Sequence, residues 1–261
     1  MFPRVIAFVL VATAATVCSE RPAGFLERSV TLGERTYKYR VSLPARYTRV
    51  RKWPVILYLH GSGERGDDNT AQLGVGLPPA LQAYPDRYKC IVVIPQCRPG
   101  QEWYGEMESM ALAALDKTMA EFRTDPRRVY LTGISMGGAG AWYIARHHRR
   151  FAAVVPIAGE VARQPNDPFP SDPPPDIALI VGAQDPYATL AEQIGNMPVW
   201  AFHGAKDDVV PVWQSQKMIA AIRARGSRAH YTEYPDAGHD CWDLAYANPD
   251  LVHWLLNQRM R

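Results

Sequence analysis

Short apolar runs recur along the chain, bounded by glycine, proline and charged residues, and stretches with apolar residues at helical spacing lie between them. Ser29–Leu32 and Thr36–Ser42 flank Gly33-Glu34, which predicts a β-hairpin. Trp53–His60 (WPVILYLH) predicts a buried strand opened by Pro54 and closed by Gly61, and Lys89–Pro95 (KCIVVIP) predicts another. Met110–Phe122 has helical spacing and is ended by Asp125-Pro126. Strand Val129–Thr132, helix Gly138–His148 and strand Ala152–Ile157 come next. The run IALIVGAQ before Asp185 reads as a strand end. Further on come strand Pro198–His203, helix Gln214–Arg225 stopped by Gly226, strand Ala229–Tyr234 and closing helix Leu251–Gln258. Alternation of this kind implies an α/β fold: a mainly parallel sheet with helices on both faces. The compositional break is Gln164–Asp176, which holds six of the 22 prolines and is therefore expected to be a surface excursion, neither helix nor central strand.

Composition narrows the class. With 261 residues, 47% of them hydrophobic, the chain has enough apolar material for one large domain with a sizeable core, which excludes wholesale disorder. A net charge of +3, from dispersed Lys and Arg, gives no footprint for a nucleic-acid partner. No apolar run reaches the roughly 18–20 residues of a membrane span, so stable membrane insertion is not expected. Val5–Val17, behind Arg4, is instead the size of a secretory h-region. Val17-Cys18-Ser19 offers a cleavage site, with Ala12-Thr13-Ala14 as a rival. Residues 1–19 are thus expected to be a signal peptide and residues 20–261 a single domain, secreted or periplasmic. A lipid anchor on Cys18 is the weaker alternative, because Val17 stands where a small residue would be wanted.

The sharpest motif is Gly133-Ile134-Ser135-Met136-Gly137, a G-x-S-x-G between a predicted strand and a predicted helix. A tight strand-to-helix turn forces its central residue into a strained conformation and needs small neighbours. Ser135 then projects its hydroxyl toward the positive end of the following helix. A serine hydroxyl is a poor nucleophile until a base takes its proton. His239, after the last predicted strand and the turn Asp236-Ala237-Gly238, is the expected general base. His60 is expected to brace the loop behind the site, and His203 falls inside the strand that leads to the acid. Asp207 is the favoured orienting acid, since one helix and one strand separate it from His239; Asp208 and Asp185 compete for the role. The backbone N–H groups of Met136 and Ser62 are the expected oxyanion donors, with Gly63 the alternative to Ser62. Glu64, Arg65, Asp67 and Asp68 read better as a loop-holding cluster than as substrate ligands. Trp103, Tyr104 and Trp242 are candidates to line an acyl or aryl pocket, with Trp103 and Trp242 named as substrate-binding residues. Cys97 and Cys241 both fall on the predicted catalytic rim, so a disulfide between them is expected in an oxidising compartment. Neither zinc-spaced Cys/His clusters nor a Gly-rich phosphate loop is visible in the sequence, and no metal or cofactor is expected.

With these residues in place the chain resembles the α/β-hydrolase superfamily. More narrowly it is similar to the secreted esterases related to polyhydroxybutyrate depolymerases, feruloyl esterases and the phospholipase/carboxylesterase group. The resembling blocks are LHGSGERGDDN, VVIPQC, DPRRVYLTGISMGGAGAW, FAAVVPIAG, PVWAFHGAKDDVVPV and YPDAGHDCW, spanning roughly Trp53 to Trp242. The resemblance implies that the acid of the H-G-x-x-D-x-x-V-P block is Asp207 and that hydrolysis runs through an acyl-enzyme without a cofactor. It also implies a small-molecule or polymer-linked ester as substrate. The chain departs from the pattern in a longer link at about 161–196, which includes the proline-rich stretch and is a candidate cap over the pocket.

Overall fold

A computed structural model describes residues 24–162 and 173–260. The predicted signal peptide, with Cys18, and much of the proline-rich stretch lie outside the described residues. Strands β1 (Leu26–Leu32) and β2 (Arg35–Ser42) form the expected hairpin around Gly33, whose φ of +57° suits glycine. They are followed by β3 (Trp53–Leu59), helix α1 (Leu77–Ala83), β4 (Ile91–Pro95), α2 (Glu106–Glu121), β5 (Thr124–Ile134), α3 (Met136–His147) and β6 (Ala153–Ile157). Then come α4 (Pro175–Val181), α5 (Pro186–Ile194), β7 (Trp200–Gly204), α6 (Trp213–Ala224), β8 (His230–Tyr234), α7 (Trp242–Ala247) and α8 (Pro249–Asn257).

The strands form one sheet in the order β1-β2-β4-β3-β5-β6-β7-β8. From β4 to β8 every pairing is parallel, and β1–β2 and β2–β4 are antiparallel. The near-continuous apolar runs of β3, β4 and β6 are buried throughout, as strands covered on both faces must be. Alternation divides them between two cores. Val55, Leu57 and Leu59 face a cluster that includes side chains of α2 to α6, whereas Ile56 and Tyr58 face one built with α1, α7 and α8.

The structure departs from expectation in the link. IALIVGAQ does not end a strand: Ile177–Val181 lie in α4, which opens on Pro175, and Asp185 caps α5 by accepting the Ala188 N–H at 3.0 Å. Proline in the first turn of a helix costs no hydrogen bond, so the proline-rich stretch runs into a helix instead of excluding one. The Asp125-Pro126 break is also absorbed. β5 begins at Thr124, and its ladder with β3 shifts register between Trp53 and Val55, so that the proline sits in an irregular stretch with no ladder bond to lose.

Candidate active site

Ser135 occupies the turn between β5 and α3 with φ +51° and ψ −119°, a left-handed conformation rare outside glycine. Its backbone is held on both sides: its N–H donates to Ile157 O at 2.9 Å, and its carbonyl accepts from Ala139 N at 3.0 Å. A side chain at Gly137 would collide with the Leu59 carbonyl, which is why the last position of the motif must be glycine. The turn leaves the Ser135 hydroxyl at the carboxyl end of the parallel strands.

His239 follows β8. Its Nε2 lies 2.8 Å from Ser135 Oγ, and its Nδ1 lies 2.8 Å from Asp207 Oδ2. The loop carrying Asp207 is tied to the loop carrying His239 through Ala205 N to Tyr234 O at 2.9 Å and Lys206 N to Ala237 O at 3.0 Å. Gly204 makes this approach possible, since a Cβ there would run into the carbonyls of Ala237 and Gly238. The Asp207 carboxylate is fully buried. Burial alone would raise its pKa, but hydrogen bonds from His203 and His239, the nearby His239 charge and the Val210 N–H together hold it well below the usual carboxylate range. Oδ1 accepts from Val209 N at 2.9 Å and Val210 N at 2.8 Å, so Asp207 stays ionised and fixed. Asp208 and Asp185 are exposed, and neither is brought to His239. Ser135, Asp207 and His239, far apart in the sequence, therefore meet at one point, joined by two contacts of 2.8 Å.

The loop after β3 wraps the same point. A Cβ built on Gly61 would fall 3.6 Å from Ser135 Cβ, so Gly61 and the short 3-10 turn Ser62–Glu64 pass beside the hydroxyl. Met136 opens α3, where a backbone N–H has no acceptor within the helix. His60 braces this loop from below: Cys97 N donates to its Nε2 at 2.9 Å and its Nδ1–H donates to Gly61 O at 2.6 Å. Those partners fix a neutral ring, and burial pulls its pKa down to about 4. The acidic and basic residues beyond hold the loop, as expected. Asp68 accepts from Thr70 N, Ala71 N and Gln96, Asp67 pairs with Arg98 at 3.2 Å, and Arg65 donates to Gln101 O.

A cleft of about 560 Å³, counted out to its open mouth, begins at Ser135 and Met136. Its apolar wall is built by Ala139 and Tyr143 of α3, Val161, Val210, and Ile177 and Val181 of α4. The link at about 161–196, a candidate cap from the sequence, supplies Val161, Ile177 and Val181 of this wall; that Ile177–Val181 are helical was missed, because a five-residue apolar run does not distinguish strand from helix. Tyr104 lines the cleft as anticipated. Trp103 does not: it is 1% exposed and donates its indole N–H to His60 O at 2.9 Å. It belongs to the support of the loop. Trp242 stands edge-on to the His239 ring at 5.4 Å, packing the base and forming no part of the cleft wall. The expected Cys97–Cys241 disulfide is absent. Cys97 is packed in the core on the α2–α6 side of the sheet and Cys241 in the core on the α7–α8 side. Both are free buried thiols, as is Cys90, and burial pushes each up to about 12.

An eight-stranded, mostly parallel sheet with a serine on the turn before α3 defines the α/β-hydrolase class. The model of the dienelactone hydrolase family matches residues 100–242, more than half of the sequence, and the chain belongs to that family. It is 26% identical to a secreted protein of Arthroderma benhamiae over 81% of its own length and 24% of that protein. It is 28% identical to dipeptidyl-peptidase 5 of Porphyromonas gingivalis over 82% of its length and 34% of that enzyme. The chain thus spans about a third or less of these curated relatives. Among solved structures, a thermostable esterase is 27% identical and superposes with a TM-score of 0.70, covering 90% of this chain and 63% of the other. The superfamily that the motifs pointed to is the one found, and within it the matching family is that of the dienelactone hydrolases.

Proposed function

We propose that this hydrolase is a serine carboxylic-ester hydrolase in which Ser135 is the nucleophile, His239 the general base and Asp207 the orienting acid. The observation that carries the reading is the chain of contacts from Asp207 Oδ2 to His239 to Ser135 Oγ, 2.8 Å at each step, at the foot of a cleft with one apolar wall and with Glu102 and Glu160 also in its lining. His239 Nε2 takes the Ser135 proton as Oγ attacks the ester carbonyl, and the N–H groups of Met136 and Ser62 receive the oxyanion. The imidazolium then protonates the leaving alkoxide. Water, deprotonated by His239, releases the acid from the acyl-enzyme. Each oxyanion donor is worth about 3 kcal/mol in the transition state. The wall of Val161, Ile177, Val181 and Val210 favours an apolar group beside the reacting carbonyl.

We read residues 1–19 as an export signal and the rest as a secreted or periplasmic catalytic domain in which α4 caps one side of the cleft. The charged, apolar and small-residue succession of the first residues supports export, as does similarity to a secreted protein. Hydrolysis of p-nitrophenyl esters, feruloyl esters and peptide anilides by the purified protein tests the assignment. Turnover of esters that disappears in Ser135→Ala is the expected result. Preference for the peptide substrates would replace the esterase by a peptidase of the same fold.

A further inference from the structure

A second imidazole reaches the carboxylate that orients His239. His203, on β7, has no exposed surface. Its Nε2 is 3.0 Å from Asp207 Oδ2 and 2.8 Å from Val210 O. Both of those atoms are acceptors, so Nε2 must carry a proton. Nδ1 of the same ring lies 2.7 Å from Ser215 Oγ of α6, and the Ser215 hydroxyl donates to it when the ring is neutral. Asp207 Oδ2 is also the atom that His239 Nδ1 contacts. One carboxylate oxygen therefore accepts from His239 and lies 3.0 Å from the His203 Nε2–H, whose proton it shares with Val210 O, while the other oxygen accepts from two backbone N–H groups.

The Val209 and Val210 N–H groups and His239 already fix the plane of the carboxylate, and without His203 the charge on Oδ2 would be concentrated on the one His239 N–H. With the His203 Nε2–H at 3.0 Å, that charge is shared. We propose that His203 is a positioning residue of the reaction, with Ser215 setting its tautomer, so that the functional unit is Ser215–His203–Asp207–His239–Ser135. The inference rests on the esterase reading above. The competing view makes His203 a core imidazole that merely satisfies the Val210 carbonyl, and that view predicts lost stability without any change in the titration of the base.

The titratable groups that face the pair are His239, Glu233, which is in register with His203 across β7 and β8, and the Cys241 thiol beside Asp207. The test compares pH profiles of kcat/KM for p-nitrophenyl acetate in wild type, His203→Leu and His203→Gln. Removing the donor in His203→Leu leaves Oδ2 with more charge for His239, which stabilises the imidazolium. The acid limb is expected to move to higher pH by roughly half a unit or more, and kcat/KM to fall about tenfold or more. His203→Gln can place an N–H near the Nε2 position and is expected to restore the limb. An unmoved limb in a folded His203→Leu protein overturns the inference.

If that variant does not fold, the same profile is read in Ser215→Ala, where loss of the hydroxyl leaves the His203 tautomer unfixed. An acid limb moved in the same direction is the expected result; an unmoved limb in the folded variant contradicts the inference. Wild-type protein that hydrolyses no ester and leaves Ser135 unlabelled by a fluorophosphonate removes the esterase reading and this inference together. Turnover with an unmoved limb removes the inference alone.

Discussion

Replacing Asp207 by asparagine changes one oxygen into an NH₂ at nearly constant shape, so its effect on the base is set by hydrogen-bond direction alone. Oδ1 accepts from the Val209 and Val210 N–H groups, so the amide oxygen of the variant must stay there. The NH₂ then faces His239 Nδ1 and His203 Nε2. His239 can meet that donor only with an unprotonated Nδ1, which puts its proton on Nε2, directly against Ser135 Oγ. The base is then blocked by its own hydrogen. The opposite amide orientation sets two donors against the backbone N–H groups and offers no escape. A wrong-tautomer lesion of this kind lowers kcat about 10³–10⁴-fold, equivalent to roughly 4–5.5 kcal/mol of barrier. Initial rates with p-nitrophenyl acetate at pH 7.5, alongside a thermal melt to show the variant is folded, measure the effect. A folded Asp207→Asn enzyme within tenfold of wild type would refute this reasoning, and a collapse in Asp185→Asn or Asp208→Asn instead would move the acid elsewhere.

Groups outside the triad carry their own expectations. Asp185 caps α5 and lies away from His239, so Asp185→Asn should leave kcat/KM within about twofold, whereas Asp185→Ala should cost about 1 kcal/mol of stability in urea unfolding. His60 is neutral in the fold, with its pKa lowered from 6.5 to about 4, so the unfolded chain binds a proton in that window and the native chain does not. Stability should fall by about 2 kcal/mol between pH 7 and pH 5, and equilibrium unfolding of His60→Gln should show a shallower dependence. Cys90, Cys97 and Cys241 should react with a thiol reagent only after unfolding, and dithiothreitol should leave Tm unchanged; a Cys97–Cys241 linked peptide in a non-reducing map would contradict the structure.

Much of this architecture is legible from local pattern. β3, β4 and β6 announce themselves because burial on both faces makes them short, purely apolar runs, and the turn at Ser135 does so because a strained conformation needs Gly133 and Gly137 beside it. Ser135, Asp207 and His239 can be placed because each follows a strand and all such loops share one end of a parallel sheet. Position along a strand does not reveal which face a loop residue then takes. Cys97 and Cys241 therefore look adjacent in the sequence although they pack in different cores. Trp103 reads as a cleft residue for the same reason, and its indole proves to be spent on His60. The link that holds α4 is legible as a candidate cap, but its helix is hidden by its prolines, which terminate helices in the interior but begin them at the first turn. His203 carries a signal only in its place four residues before Asp207; what it touches emerges when β7 and α6 are packed together.

The claim on which the mechanism depends is that the hydroxyl of Ser135 is made nucleophilic by His239. Incubating the folded protein with a fluorophosphonate, digesting it and locating the adduct by mass spectrometry tests this directly. A single adduct is expected on the peptide containing Ser135, lost in Ser135→Ala and strongly slowed in His239→Ala. An unmodified Ser135 in folded protein, or an adduct on a different serine, would contradict it.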